Sequence, residues 1–175
     1  MSATAGALAA TAELPRWQPA YVGIGSNLDG PREQVERALA ALERVSRSRL
    51  VLSSPLYCTA PFGDIAQPPY VNAVAALLTQ LAPEELLGEL RRLETELGRA
   101  PARERWGPRR IDLDLLVLGH ETRATATLNL PHPGMGERDF VLYPLADIAP
   151  DLEVPGLGRV ETLRARVANR GVRRL

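Results

Sequence analysis

RWGPRRIDLDLLVLG, residues 105–119, runs an arginine-rich loop broken by Gly107 and Pro108 straight into a strand that opens on two aspartates. Side chains at i and i+2 of a strand point the same way, so Asp112 and Asp114 stand side by side, with Leu116 and Leu118 completing their face. Two adjacent carboxylates heading an apolar face repel each other and lose hydration unless cations neutralise them. Hard divalent ions suit oxygen ligands, and Mg²⁺ carrying a phosphate is the natural guest. Arg105, Arg109 and Arg110 sit one loop away, and guanidinium forks match phosphate oxygens. A solvated edge strand is the competing reading, but acidic pairs on such strands seldom lead an apolar run.

Upstream of this strand the chain alternates between strands and helices. YVGIGSN is a short buried strand ending in turn residues. Pro31 then opens a helix in which Val35, Ala38, Leu39, Leu42 and Val45 recur at helical spacing. Residues 49–58 read as a strand broken near Pro55, residues 64–69 as a Gly/Pro loop, and residues 70–79 as another strand. A second helix starts at Pro83, buries Leu86, Leu90, Leu93 and Leu97, and stops at Gly98. With the aspartate strand over 112–118 the order is β-α-β-β-α-β. This is the α+β, ferredoxin-like pattern of an antiparallel sheet with two helices covering one face. Beyond it the sequence predicts a hairpin around 122–130, a loop NLPHPGMGER, an ambiguous apolar segment over 140–148 and a terminal helix over 161–170. Arg173 and Arg174 are expected to be solvated. Residues 1–19, rich in alanine and threonine, are expected to be a disordered extension, with residues 20–175 forming a single domain.

Composition removes whole classes of function. A 45% hydrophobic and 24% charged chain of 175 residues with zero formal net charge is ordinary for a globular protein and implies no strongly electrostatic nucleic-acid or membrane partner. There is no lysine at all, which excludes phosphate-loop NTPases and Schiff-base enzymes. Cys58 is alone, so an internal disulfide is impossible and a buried structural thiol is expected. No apolar stretch approaches a membrane span, and the cytoplasm is the expected location.

Taken together, YVGIGSN, APFGDIAQPPYVNAV, ERWGPRRIDLDLLVLG and LPHPGMGERDFVLYPL resemble the 6-hydroxymethyl-7,8-dihydropterin pyrophosphokinases of folate biosynthesis, in order and without a large gap from about residue 21 to 151. The resemblance implies transfer of pyrophosphate from MgATP to the pterin hydroxymethyl group, with release of AMP. It assigns two Mg²⁺ to Asp112 and Asp114, with ATP as cosubstrate. Arg99, Arg105 and Arg109 match positions around the triphosphate, as do His132 and Arg138, which can donate hydrogen bonds to anionic oxygens. Arg91, Glu94, Trp106 and Leu115 match the nucleotide side. Thr59, Pro61, Phe62, Tyr70, Asn72, Trp106 and Phe140 match the pterin side, where a flat heteroaromatic ring wants stacking faces and an amide partner. The loop around Arg105 and Trp106 is expected to close as a lid that excludes water. Asp139 reads as surface charge. The substrates are small molecules, neither nucleic acid nor membrane is a partner, and a monomer is expected.

Two departures limit this carry-over. Pro101 and Ala102 stand where some relatives have basic residues, which Arg103 could replace, and GIGSN lacks the third glycine of a dinucleotide fingerprint and reads as scaffold. Two other classes compete. An RNA-binding or ligand-sensing module would want aromatics interleaved with basic residues on the sheet, yet aromatics are 5% of the chain. A metal-dependent phosphohydrolase could use the same aspartates but would have to admit water.

Overall fold

Nine residues of near-continuous apolar alternation make the central strand, and the rest of the sheet is built outward from it. A computed structural model describes residues 16–61, 66–99 and 107–175. Strand β1 (Gln18–Ser26) lies between β4 (Tyr70–Thr79) and β5 (Asp112–Leu118), antiparallel to both. The outer edge of β4 is covered twice, by β2 (Ser48–Ser53) along one half and β3 (Tyr57–Thr59) along the other. The break between them falls at Ser54 to Leu56, where the sequence places its interruption, because Pro55 has no N–H for the ladder. Strand β1 starts at Gln18, two residues ahead of the expected domain start.

Helices α1 (Pro31–Leu42) and α2 (Pro83–Glu96) complete the β-α-β-β-α-β order on one face. Both begin with proline, whose fixed φ suits the first turn. Asp29 and Gly30 supply the left-handed turn into α1. At the start of α2, Glu85 Oε2 accepts the Ala82 N–H at 2.8 Å. Gly98, at φ +84, ends it. Val35, Ala38 and Leu42 of α1 meet Leu86, Leu90 and Leu93 of α2 above β1, β4 and β5 in the main core. Removing a side chain such as Leu90 to alanine would cost about 2–5 kcal/mol.

The second face is not left open. Segment 140–148 is part of helix α3 (Asp139–Ile148), which packs Val141 and Leu145 against Val74 and Leu116 in a second core. Downstream of β5, β6 (Arg123–Ala124) and β7 (Asn129–Leu130) form the expected hairpin. The expected loop contains a short 3-10 turn over Met135–Glu137. Small strands β8 (Glu153–Val154) and β9 (Gly158–Arg159) precede α4 (Val160–Arg166). The terminal helix is thus shorter than the 161–170 expected. The tail instead leaves the helix at Val167 and adds β10 (Arg173–Arg174) beside β3, with both arginines exposed. No helix among the described residues is long and apolar enough to cross a membrane.

Leu118 does not share the face of the aspartates. Tyr21 pairs with Val117 but Val22 with Leu115, so Leu116 is an extra residue in a bulge. The alternation resets there, and Leu118 joins the main core under α1 and α2 instead of sharing the aspartate face.

Candidate active site

The open end of the second face is a cavity of about 240 Å³ into which Asp112, Asp114 and Leu116 project. Directly across in register on β1 stand Gly25 and Gly23. A Cβ on Gly25 would lie 2.9 Å from Asn72 Oδ1, and one on Gly23 would lie 3.4 Å from the Leu116 side chain. Gly25 therefore leaves the room that the Asn72 amide needs, a task more specific than scaffold, whereas a Cβ at Gly23 would meet Leu116 only in ordinary contact.

The wall opposite the aspartates comes from β3 and β4. Asn72 is 6% exposed, and its Nδ2 donates to Thr59 Oγ1 at 2.7 Å. The Tyr70 hydroxyl donates to the Gly107 carbonyl at 3.3 Å, and burial pushes its pKa up, so it stays a phenol. From the start of α3, Phe140 and Arg138 close the cavity, with the guanidinium 5.8 Å from the ring centroid.

The charges are closely organised. Arg109 Nη1 donates to both Asp112 oxygens, at 3.0 and 3.1 Å, and Arg99 Nη1 lies 2.9 Å from Asp112 Oδ1. Arg99 also pairs with Glu94. Desolvation and the neighbouring Asp112 raise the pKa of Asp114, while His132 and Arg138 pull it back. His132 Nε2 is 3.8 Å from Asp114 Oδ1. A bond from the His132 N–H to the Leu116 carbonyl, at 2.8 Å, anchors that loop to the bulge.

Residues 21–150 match the family model described as 7,8-dihydro-6-hydroxymethylpterin-pyrophosphokinase (HPPK). The chain belongs to this family. The 2-amino-4-hydroxy-6-hydroxymethyldihydropteridine pyrophosphokinase of Pseudomonas aeruginosa is 49% identical over 158 residues, which is 90% of this chain and 97% of that one. Its Haemophilus influenzae counterpart is 47% identical over 136 residues, 78% of this chain and 84% of that one. A solved structure of wild-type Plasmodium falciparum HPPK-DHPS with pteroate gives a TM-score of 0.69 over 89% of this chain. At 12% identity that agreement concerns the fold, and this chain spans 43% of that longer one.

Within this HPPK chain the cavity gathers Thr59, Tyr70, Asn72, Arg109, Asp112, Asp114, His132, Arg138 and Phe140. Other expected site residues lie elsewhere. Leu115 is 3% exposed in the main core, because the strand points it away from the aspartates. Arg91 is on the exposed side of α2 and donates to the Thr127 carbonyl at 3.4 Å. Pro61 does not line the cavity. Phe62, Arg103, Arg105 and Trp106 fall outside the described residues, as do Pro101 and Ala102.

Glu94 turns inward. Only 6% exposed, it accepts the Leu113 N–H at 2.7 Å, gripping β5 between the two aspartates. Desolvation pushes its pKa up to about 7, against the Leu113 bond and Arg99. Asp139 is also buried, at 6% exposure, and is not surface charge: its oxygens accept the Phe140 and Arg170 N–H groups at 2.9 and 2.7 Å. The sequence does not single out Asn27 as a site residue. It is 2% exposed, and its Oδ1 accepts the Arg109 N–H at 2.7 Å while Nδ2 donates to Gln67 Oε1 and the Pro68 carbonyl. Its one signal was an amide closing a buried strand, which also describes an ordinary turn.

The donor set suits Mg²⁺. Among the described residues no three His, Cys, Asp or Glu side chains gather as a metal cage. Mg²⁺, however, is typically held by one or two carboxylates with substrate phosphates and water completing its shell, and Asp112 and Asp114 offer that pair.

Proposed function

We propose that this enzyme transfers pyrophosphate from MgATP to the hydroxymethyl group of 6-hydroxymethyl-7,8-dihydropterin, a step of folate biosynthesis that releases AMP. The observation that carries the reading is a single cavity joining a carboxylate pair, a set of cations and an amide-and-aromatic wall. The pterin hydroxymethyl oxygen attacks the β-phosphorus, the bond from that phosphorus to the bridging oxygen of the α-phosphate breaks, and the hydroxyl proton is released. Asn72, held by Thr59, presents its amide to the ring edge, and Tyr70 and Phe140 provide apolar faces. Arg109, His132 and Arg138 supply donors to the polyphosphate, whose charge must be neutralised before an anionic centre can be attacked. Arg99 stands behind Asp112, and Glu94 keeps the strand in place. Asp112 and Asp114 would hold two Mg²⁺, which when bound supply charge neutralisation and lower the pKa of a coordinated hydroxyl.

The reading extends to a lid of Arg105 and Trp106 that excludes water, and to a monomer that works in the cytoplasm on small molecules, with neither nucleic acid nor a membrane as partner. A phosphohydrolase using the same aspartates would release product from ATP alone. The test is AMP formation measured with and without the pterin alcohol across Mg²⁺ concentrations, for the wild type and for Asp112→Asn and Asp114→Asn. Each substitution is expected to cut pterin-dependent AMP release by at least about a hundredfold and to raise the Mg²⁺ requirement. Thermal unfolding should show folded protein in both cases. Near-normal activity with an unchanged Mg²⁺ requirement in either folded variant would refute the assignment.

A further inference from the structure

Helix α3 begins in an unusual way. Its N-cap position is Arg138, which makes no side-chain capping bond. Arginine is a poor cap because it has no acceptor, whereas Ser, Thr, Asp or Asn would satisfy the free N–H groups of the first turn. Here the Arg138 side chain is turned to the cavity, over Phe140. The acceptor is supplied one residue later by Asp139, whose Oδ1 takes the Phe140 N–H at 2.9 Å. A carboxylate in a first turn is also favoured by the helix dipole.

The second oxygen of Asp139 reaches out of the helix. It takes the Arg170 N–H at 2.7 Å, 31 residues along the chain. Arg170 is presented by a turn in which Asn169 Oδ1 accepts the Gly171 and Val172 N–H groups, both at 2.8 Å. The tail then pairs with β3 through Arg173 and Arg174, and the Leu175 N–H donates to the Leu56 carbonyl at 2.9 Å. Strand β3 ends at Thr59, the partner of Asn72. The C-terminal tail is thus a strap whose ends hold two walls of one cavity.

We propose that Asp139 is a positioning residue of this enzyme, holding Arg138 and Phe140 toward the substrates by tying the first turn of α3 to the C-terminal tail. The inference rests on the pyrophosphokinase reading. Burying a carboxylate is costly unless hydrogen bonds replace its water, and both oxygens here are spent on backbone donors from two different segments. A side chain needed only to start a helix would require one.

The test uses the full chain with Asp139→Ala, Asp139→Asn and Asn169→Ala, measuring pterin binding by calorimetry, steady-state kinetics and hydrogen exchange at the Arg170 amide. Asp139→Ala is expected to weaken pterin binding and raise its KM about tenfold, while kcat at saturation stays within about twofold because bound substrate draws the turn back. Asp139→Asn, with one acceptor for two donors, should fall between. Asn169→Ala, which leaves Asp139 intact, should speed Arg170 exchange and raise the pterin KM. Adding it to Asp139→Ala should cause little further change, since the strap is already untied. A folded Asp139→Ala enzyme with wild-type affinity and KM, and only a lower melting temperature, would reduce Asp139 to a structural role. If that variant does not fold, Asp139→Asn and Asn169→Ala decide on the same readouts, and wild-type KM in both overturns the proposal. Failure of the pyrophosphokinase reading would look different: the wild type itself would form no pterin-dependent AMP.

Discussion

Asn72 shows how a single residue can be legible by type and still need its neighbours to be understood. An amide in the middle of a strand is out of place by propensity, which marks it for a specific bond. The structure adds the rest: Thr59 takes one Nδ2 hydrogen, and Gly25 leaves the space that the other end of the amide occupies. Asn72→Ala is expected to weaken pterin binding by about 1–3 kcal/mol while nucleotide affinity holds, because polar edges of the ring would be buried unpaired. Calorimetry with each substrate separates these effects, and an unchanged pterin affinity would remove Asn72 from the pocket. The same scale explains why Asp139 reads as surface charge in the sequence and is buried in the fold. Its sequence neighbours are Arg138 and Phe140, and nothing local says that a segment 31 residues away will close over its carboxylate.

The elements bring these residues together through irregularities. The bulge at Leu116 lets β5 carry aspartates toward the cavity at one end and leucines into the main core at the other. At the mouth, Asn27 joins two loops at once: the Arg109 N–H and the Asn27 N–H to Arg109 carbonyl bond, at 3.0 Å, fix the strand of loop leading into β5, and Gln67 and Pro68 fix the loop leading into β4. Asn27→Ala removes the acceptor of the Arg109 N–H and unties the loop leading into β4, so unfolding stability is expected to drop by about 1–3 kcal/mol. Arg109 would keep only the bond from the Asn27 N–H to its carbonyl, and turnover should fall further than the stability change accounts for. Urea unfolding alongside kinetics on the folded enzyme checks this, and full activity in a destabilised protein would make Asn27 a structural joint only.

At the scale of the whole molecule, the buried Glu94 links the site to stability. Its pKa is pushed up from 4.5 to about 7 by desolvation, so the folded state binds its proton more tightly than the unfolded chain. Stability from this group is fully present below about pH 4.5 and is lost as pH rises through about 7. In metal-free and nucleotide-free protein, Glu94→Gln, which retains an acceptor for the Leu113 N–H, should remove that component. The difference in melting temperature between variant and wild type should therefore shift in the variant's favour between pH 4.5 and 7 and then level off, and a pH-independent difference would contradict the desolvated carboxylate. The sequence by itself determined the periodic elements and their order, because burial pattern, proline starts and glycine stops are local properties; strands 70–79 and 112–118 are found with those bounds. It also determined the paired carboxylates, which depend only on strand alternation. Tertiary structure alone decided that 140–148 is a helix on the second face, that Glu94 points inward, and that Asn27, Gly25 and Asp139 serve the cavity. Each of those outcomes depends on contacts with distant segments, and the energy of a contact is absent from the sequence until the chain folds back on itself.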